Sequence, residues 1–159
     1  MSGHTDTYRE YQHKLMEVGV ALGYQSRRSF RKDAMGDAVW LEKASQKYTS
    51  GMLPVVAFKI LCSETSKEIR DSITTLQSIS PALGVLVLIE EAYAKIGGNL
   101  TKYDEKTYPA HIRRIAERLR RGIELSFRVE VWDQKKVDRL YTQYVEEMLP
   151  LHGGPGDPT

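Results

Sequence analysis

The segments GDAVWL (residues 36–41) and LPVVAFKIL (residues 53–61) decide how this chain is read. Each is apolar enough to be a strand, yet Asp37 opens the first and Lys59 interrupts the second. An ammonium inside so apolar a run is costly to bury without an opposite charge. The expected partner is Asp37 on the neighbouring strand, so a Lys59–Asp37 ion pair is predicted whether its role is structural or catalytic.

Working outward from these strands, Tyr8, Tyr11, Leu15, Val18 and Leu22 recur at three- and four-residue spacing, one apolar face of a helix that Gly23 ends. YQSRRSF (24–30), DAVWLEK (37–43) and PVVAFKIL (54–61) read as three strands, the third apolar but for Lys59 and therefore central. SETSKEIRDSITTLQSIS (63–80) follows as an amphipathic helix with a serine cap and a stop at Pro81. LGVLVLI (83–89) is a buried strand, and the helix between it and the third strand implies that the two run parallel.

Beyond it, EEAYAKI (90–96) reads as a short helix, GGNLTKYDEKTY (97–108) as a loop, and PAHIRRIAERLRRG (109–122) as a helix with proline in its first turn. IELSFRVEVWD (123–133) alternates as a strand does, and QKKVDRLYTQYVEEML (134–149) closes the fold as a helix. Trp132, Tyr141 and Tyr144 are expected to pack these last elements onto the sheet. The expectation is an α/β fold: a central mixed sheet flanked by helices, an αβββαβ core, and an added C-terminal helix–strand–helix.

At 159 residues, 41% hydrophobic and 28% charged, the chain has the size and balance of one domain, placed at 1–149, with 150–159 a disordered tail. One cysteine, Cys62, excludes an intramolecular disulfide and is expected to be a buried thiol; CxxC pairs for structural zinc are absent. The N-terminal residues carry no apolar signal-like segment, and no run reaches the roughly 18 apolar residues of a membrane span. The expectation is a soluble, cytoplasmic protein without a membrane partner. His4 and His111 have no partners at metal-ligand spacing and read as incidental.

The element order and the two opening segments resemble the PD-(D/E)XK, or restriction-endonuclease-like, nuclease superfamily over residues 8–89. In that family an acid begins the second strand, the place of Asp37, and the third strand carries (D/E)-x-K after an apolar run, the place of PVVAFKIL. The resemblance implies two carboxylates on adjacent strands holding Mg²⁺, with a lysine orienting or activating the attacking water. A glutamate on the first helix often adds a ligand, and Glu17 occupies a comparable place. The catalytic set implied is therefore Asp37, Lys59 and Glu17, with Asp37 and Glu17 as metal ligands.

The third-strand motif is incomplete in either alignment. If Lys59 is the family lysine, its acid is replaced by Ala57; if Lys59 holds the acid position, the lysine is replaced by Leu61. In the first register Glu64 or Glu42 would have to move in to complete a metal site. In the second, favoured because PVVAF supplies the apolar run before the acid, a lysine stands where the cation belongs and its charge mimics the metal without its chemistry.

Net charge of +2 says little about partners, so the distribution of charge must carry that argument. Arg27, Arg28, Arg31 and Lys32 cluster around the first hairpin. Arg114, Arg118 and Arg121 share one face of the 109–122 helix, away from Ile112, Ile115 and Leu119. Such a stripe suits phosphate binding. The leading expectation is a DNA-binding, nuclease-like protein with an incomplete metal site and weak or absent hydrolysis. An active Mg²⁺-dependent nuclease with a rearranged site is the alternative, and a homodimerisation or protein-assembly module the third reading.

Overall fold

The computed structural model of the chain describes residues 2–30, 32, 36–44, 51–62, 66–89, 108–122 and 125–147. Its elements are α1 (Ser2–Ala21), β1 (Gln25–Arg27), β2 (Ala38–Lys43), β3 (Met52–Leu61), α2 (Ser66–Ile79), β4 (Leu83–Leu88), α3 (Tyr108–Gly122), β5 (Arg128–Asp133) and α4 (Gln134–Tyr141), which runs on through a π-helical turn at Thr142–Glu146. The protein is an α/β fold with a five-stranded mixed sheet flanked by helices, as its hydrophobic pattern predicts.

Spatial order in the sheet is β1-β2-β3-β4-β5. β2 pairs antiparallel with β1 and β3, whereas β3–β4 and β4–β5 are parallel. A parallel pair needs a crossover connection, which α2 supplies between β3 and β4. β3 is the middle strand and is covered on both faces, which is why its sequence is apolar at odd and even positions alike.

Alternation along the strands divides the core in two. Val39, Leu41, Ala57, Leu61, Leu86 and Leu88 face Ile69, Ile73, Leu76 and Ile79 of α2 together with Ile115 and Ala116 of α3. Ala38, Trp40, Val56, Phe58, Val85 and Val87 face Tyr11, Leu15 and Val18 of α1 and Val137 of α4. The second face carries a row of rings across the sheet: Tyr24 stacks on Trp40 at 5.6 Å, Trp40 meets Phe58 edge-on at 4.7 Å, and Phe58 meets Trp132 at 5.3 Å.

Several boundaries differ from the sequence-based expectation. Leu22 is 40% exposed because α1 stops at Ala21. Gly23 adopts φ +95°, and the N–H groups of Gly23 and Tyr24 donate to the carbonyls of Val20 and Gly19. β1 is three residues long, with Gln25 and Arg27 exposed at the sheet edge. β5 begins at Arg128 rather than 123. The final helix widens after Tyr141, where the Glu147 N–H reaches back to the Thr142 carbonyl at 2.8 Å. Cys62, expected to be buried, is half-buried just past the end of β3. The helix expected at 90–96, the loop at 97–107 and the tail at 150–159 lie outside the described residues. Among those described, no helix is long and apolar enough to cross a membrane.

α1 lies close against the sheet at Gly19. The Trp40 indole N–H donates to the Leu15 carbonyl at 2.8 Å, and the Ser26 hydroxyl donates to the Met16 carbonyl at 2.7 Å. A Cβ on Gly19 would fall 2.4 Å from the Trp40 ring and from Ser26 Oγ. Gly19→Ala is therefore expected to destabilise the protein by about 1–3 kcal/mol in urea unfolding, although alanine is the better helix former. An unchanged or higher midpoint would show that α1 can move off the sheet at no cost.

Candidate functional site

Asp37 stands immediately before β2. Its backbone N–H donates to the Phe58 carbonyl at 2.8 Å, and Ala38 is paired with Phe58, so Asp37 lies directly across from Lys59. This local geometry follows from sequence: the apolar run of β3 fixes the pairing register, and the acid falls one residue outside the β2 ladder.

Asp37 is 7% exposed and makes several contacts. Carboxylate Oδ2 accepts from the Ile60 backbone N–H at 2.6 Å and lies 3.6 Å from Lys59 Nζ. Oδ1 accepts from the Tyr8 hydroxyl, and the Asp37 carbonyl accepts from Gln12 Nε2 at 2.7 Å. The predicted Lys59–Asp37 ion pair is present. Its separation is too long for a hydrogen bond, so Lys59 acts on Asp37 as a nearby charge while Tyr8 and Ile60 hold the carboxylate in place. Burial raises the Tyr8 pKa well above that of an ordinary phenol, and the hydrogen bond to Asp37 and its charge add to the effect, against a smaller opposing influence of Arg28. Tyr8 is thus a proton donor to Asp37 at neutral pH.

Positions 57, 59 and 61 project to one side of β3. Ala57 pairs with Val39 and is fully buried; Leu61 pairs with Leu88 and is 1% exposed. Only position 59 lies beside Asp37 with some access to solvent. A carboxylate at 57 would sit opposite Val39 within the core, a full pleat away from Asp37.

Glu17, expected as a further ligand, is not among the groups around Asp37. It is exposed, lies 3.7 Å from His13 Nε2, and lines a cavity of about 420 Å³ with Arg9, Gln12, His13 and Arg28. The α1 residues that do reach Asp37 are Tyr8, read in the sequence only as a member of the apolar stripe, and Gln12, not singled out there; the available signal was that both carry polar groups beside Tyr11 and Leu15 on the inward side. Glu42 is exposed near the far end of β2, paired with Leu53. Glu64 lies outside the described residues. Among the described residues no group of three His, Cys, Asp or Glu side chains could hold a metal ion.

Of the expected phosphate-binding residues, Arg27, Arg28 and Lys32 are exposed, and Arg28 joins the cavity beside Gln12. Arg114, Arg118 and Arg121 are exposed along α3, while Ile115 and Ala116 turn into the core, as the helical spacing predicts. Arg31, and the side chains of His4, His111, Ile112, Leu119 and Arg120, lie outside the described residues.

A second polar cluster fastens α1 to α4. Lys14 Nζ lies 2.8 Å from Asp138 Oδ1 and 3.2 Å from Glu10, and the Tyr11 hydroxyl donates to Asp138 Oδ2 at 3.0 Å. Burial lowers the pKa of Lys14, but the hydrogen bonds to Asp138 and Glu10 outweigh it and leave the ammonium harder to deprotonate than usual. Burial pushes the Tyr11 phenol up to about 12, with the Asp138 hydrogen bond adding and that of Gln134 opposing.

Two outcomes follow from these contacts. Asp37→Ala strands the Ile60 N–H, the Tyr8 hydroxyl and a partly buried ammonium, and is expected to cost about 3 kcal/mol; Lys59→Met leaves the carboxylate hydrogen-bonded and is expected to cost about 1 kcal/mol. Equal losses in chemical denaturation would mean that the charge pair, and not the hydrogen bonds, dominates. Tyr8, Tyr11 and Lys14 all hold their protons more tightly when folded, so above pH 10 the unfolded chain binds fewer protons than the native one. Stability is expected to be level through neutral pH and to fall as pH rises past 10. Tyr8→Phe should flatten that fall, and an identical pH profile in the variant would contradict the assignment.

No protein-family model, curated protein or solved structure matches the chain, so its function has to be read from the geometry of its own residues.

Proposed function

We propose that this chain is a nuclease-like protein of the PD-(D/E)XK type that binds nucleic acid, DNA in the first instance, and does not cleave it. The observation that carries this reading is Lys59, whose ammonium lies 3.6 Å from the Asp37 carboxylate at the cross-strand position where the family's second carboxylate would stand. Supporting it are the order of helix, three strands, helix and strand, and the acid at the start of the second strand. In the alternative register, with Lys59 as the family lysine, the acid's place is held by the wholly buried Ala57, and a carboxylate from elsewhere, Glu64 or Glu42, would have to complete the site.

The donor set does not fit Mg²⁺. Magnesium needs an octahedral shell of oxygens, several of them water. Here the Asp37 carboxylate oxygens accept from Tyr8 and Ile60, and the neighbouring position holds a cation in place of a ligand. What the ammonium can do is cancel the charge of Asp37 at the sheet edge, so that a phosphodiester can approach without meeting an uncompensated carboxylate.

Exposed arginines supply the attraction. Arg114, Arg118 and Arg121 on α3, with Arg27, Arg28 and Lys32 near the first hairpin, offer forked or point cations that pair with backbone phosphates and release counterions. In open α/β sheets the carboxyl ends of the parallel strands are the usual ligand edge, and Lys59 lies toward that end of β3.

A gel-shift and cleavage assay with labelled single-stranded, duplex and branched DNA tests this reading. Binding is expected to weaken steeply with salt, to be the same in EDTA as in Mg²⁺ or Mn²⁺, and to leave the DNA intact. Metal-dependent cleavage that disappears in Asp37→Ala would establish an active nuclease instead. Absence of any shift at low salt would leave the assembly-module reading standing.

A further inference from the structure

We infer that a second basic site, at the carboxyl ends of β4 and β5, holds a single backbone phosphate of the bound strand; this inference rests on the nucleic-acid reading above. A cavity of about 230 Å³ opens there, floored by Leu88 and walled by Arg113 of α3, Trp132 and Asp133 of β5, and Lys136 and Arg139 of α4. The volume corresponds to about seven or eight waters. That space accommodates a phosphate group with part of its hydration, and is too small for a base pair or a folded peptide.

Three cations converge on it from helices that cover opposite faces of the sheet. Among the described residues the wall holds one carboxylate, that of Asp133, whose Oδ1 accepts from the backbone N–H of Lys136 at 2.8 Å and caps α4; its charge stays in the wall, outnumbered by the three cations. Asp138, on the same helix, is engaged by Lys14 and Tyr11 of α1. Lys136 Nζ rests 4.7 Å from the centroid of the Trp132 ring, a contact that holds the ammonium in place without neutralising it. Three cations against one carboxylate leave a wall of net positive charge that favours an anion, and a tetrahedral phosphate carries oxygens enough to meet several of them.

Position ties this cavity to Lys59. The sheet register runs Lys59–Leu86–Val131 across β3, β4 and β5, and Val131 and Leu88 both border the cavity. With strands about 4.8 Å apart, β3 and β5 are separated by about 10 Å. One nucleic-acid strand can therefore contact Lys59 and the cavity together. None of its three cations belongs to the Arg114–Arg118–Arg121 stripe, so the two surfaces can be tested independently.

The test is fluorescence anisotropy on labelled single-stranded and duplex DNA over a salt series, comparing wild type, the cavity variant Arg113→Gln/Lys136→Gln/Arg139→Gln, and the stripe variant Arg114→Gln/Arg118→Gln/Arg121→Gln. Circular dichroism and thermal melting verify folding. The cavity variant is expected to bind about tenfold or more weakly, with the slope of log affinity against log salt reduced by about one unit, the signature of one lost phosphate contact. A reduction of about three units would mean that the cations act on separate phosphates and would overturn the single-phosphate site. Wild-type binding with an unchanged cavity variant would overturn this inference alone and leave the nucleic-acid reading intact. No binding by wild type at low salt would overturn that reading and this inference with it. Should the triple variant fail to fold, the single variants Arg113→Gln and Arg139→Gln, both at exposed positions, carry the same test: each is expected to weaken binding, and wild-type affinity in both would count against the site.

Discussion

A carboxylate buried at the start of β2 is the constraint on which the site end of this fold depends. Asp37 accepts hydrogen bonds from the Tyr8 hydroxyl, from the Ile60 backbone N–H and, through its carbonyl, from Gln12. These contacts join α1 to the middle strand where the two would otherwise meet only through apolar packing. Burial makes the arrangement specific, because each of these partners would be left unsatisfied if α1 rotated or β3 slipped by one residue. The negative charge also explains Lys59: in a strand so apolar, an ammonium is tolerable only opposite such a group.

From that pair a chemical consequence spreads along the sheet edge. A second carboxylate at position 59 would create a pair of like charges that a divalent cation could bridge. A lysine there neutralises Asp37 within the protein itself. Among the described residues, the edge that includes β3, β4 and β5 thus presents Lys59 and the three cations around the cavity, with Asp37 held by Tyr8 beside Lys59 and Asp133 capping α4. An overall charge of +2 does not reveal this clustering. The proposed binding of phosphate without metal chemistry rests on this arrangement.

Much of this was legible in the sequence, and the rest was hidden for identifiable reasons. The continuous apolar run of β3 announced a central strand, and the cost of burying Lys59 pointed to Asp37 as its partner. The inward stripe of α1 was visible through Tyr11, Leu15 and Val18, whereas the role of Gln12 was not, because its partner is a backbone carbonyl, which no side-chain pattern reveals. Glu17 was drawn in by the family resemblance, which places a glutamate on the first helix, although it lies five residues beyond Gln12 and so points well around the helix from it. β1 was overestimated because Gln25 and Arg27, at an exposed edge, contribute little packing to extend it. The cavity cations escaped notice because Arg113 and the pair Lys136 and Arg139 come from different helices and are brought together only by the parallel placement of β4 and β5.

The proposal that Lys59 stands in the place of a metal ligand can be tested by reversing it. Lys59→Glu restores a carboxylate beside Asp37 without disturbing the buried Ala57 and Leu61 positions, and its melting temperature can be followed against Mn²⁺ concentration. The geometry predicts a variant that melts below wild type in EDTA, because two carboxylates now repel, and that regains stability as Mn²⁺ is added, while wild type shows no Mn²⁺ dependence. A variant indifferent to Mn²⁺, or a wild-type protein that responds to it as strongly, would contradict the view that Lys59 occupies the place of a metal ligand.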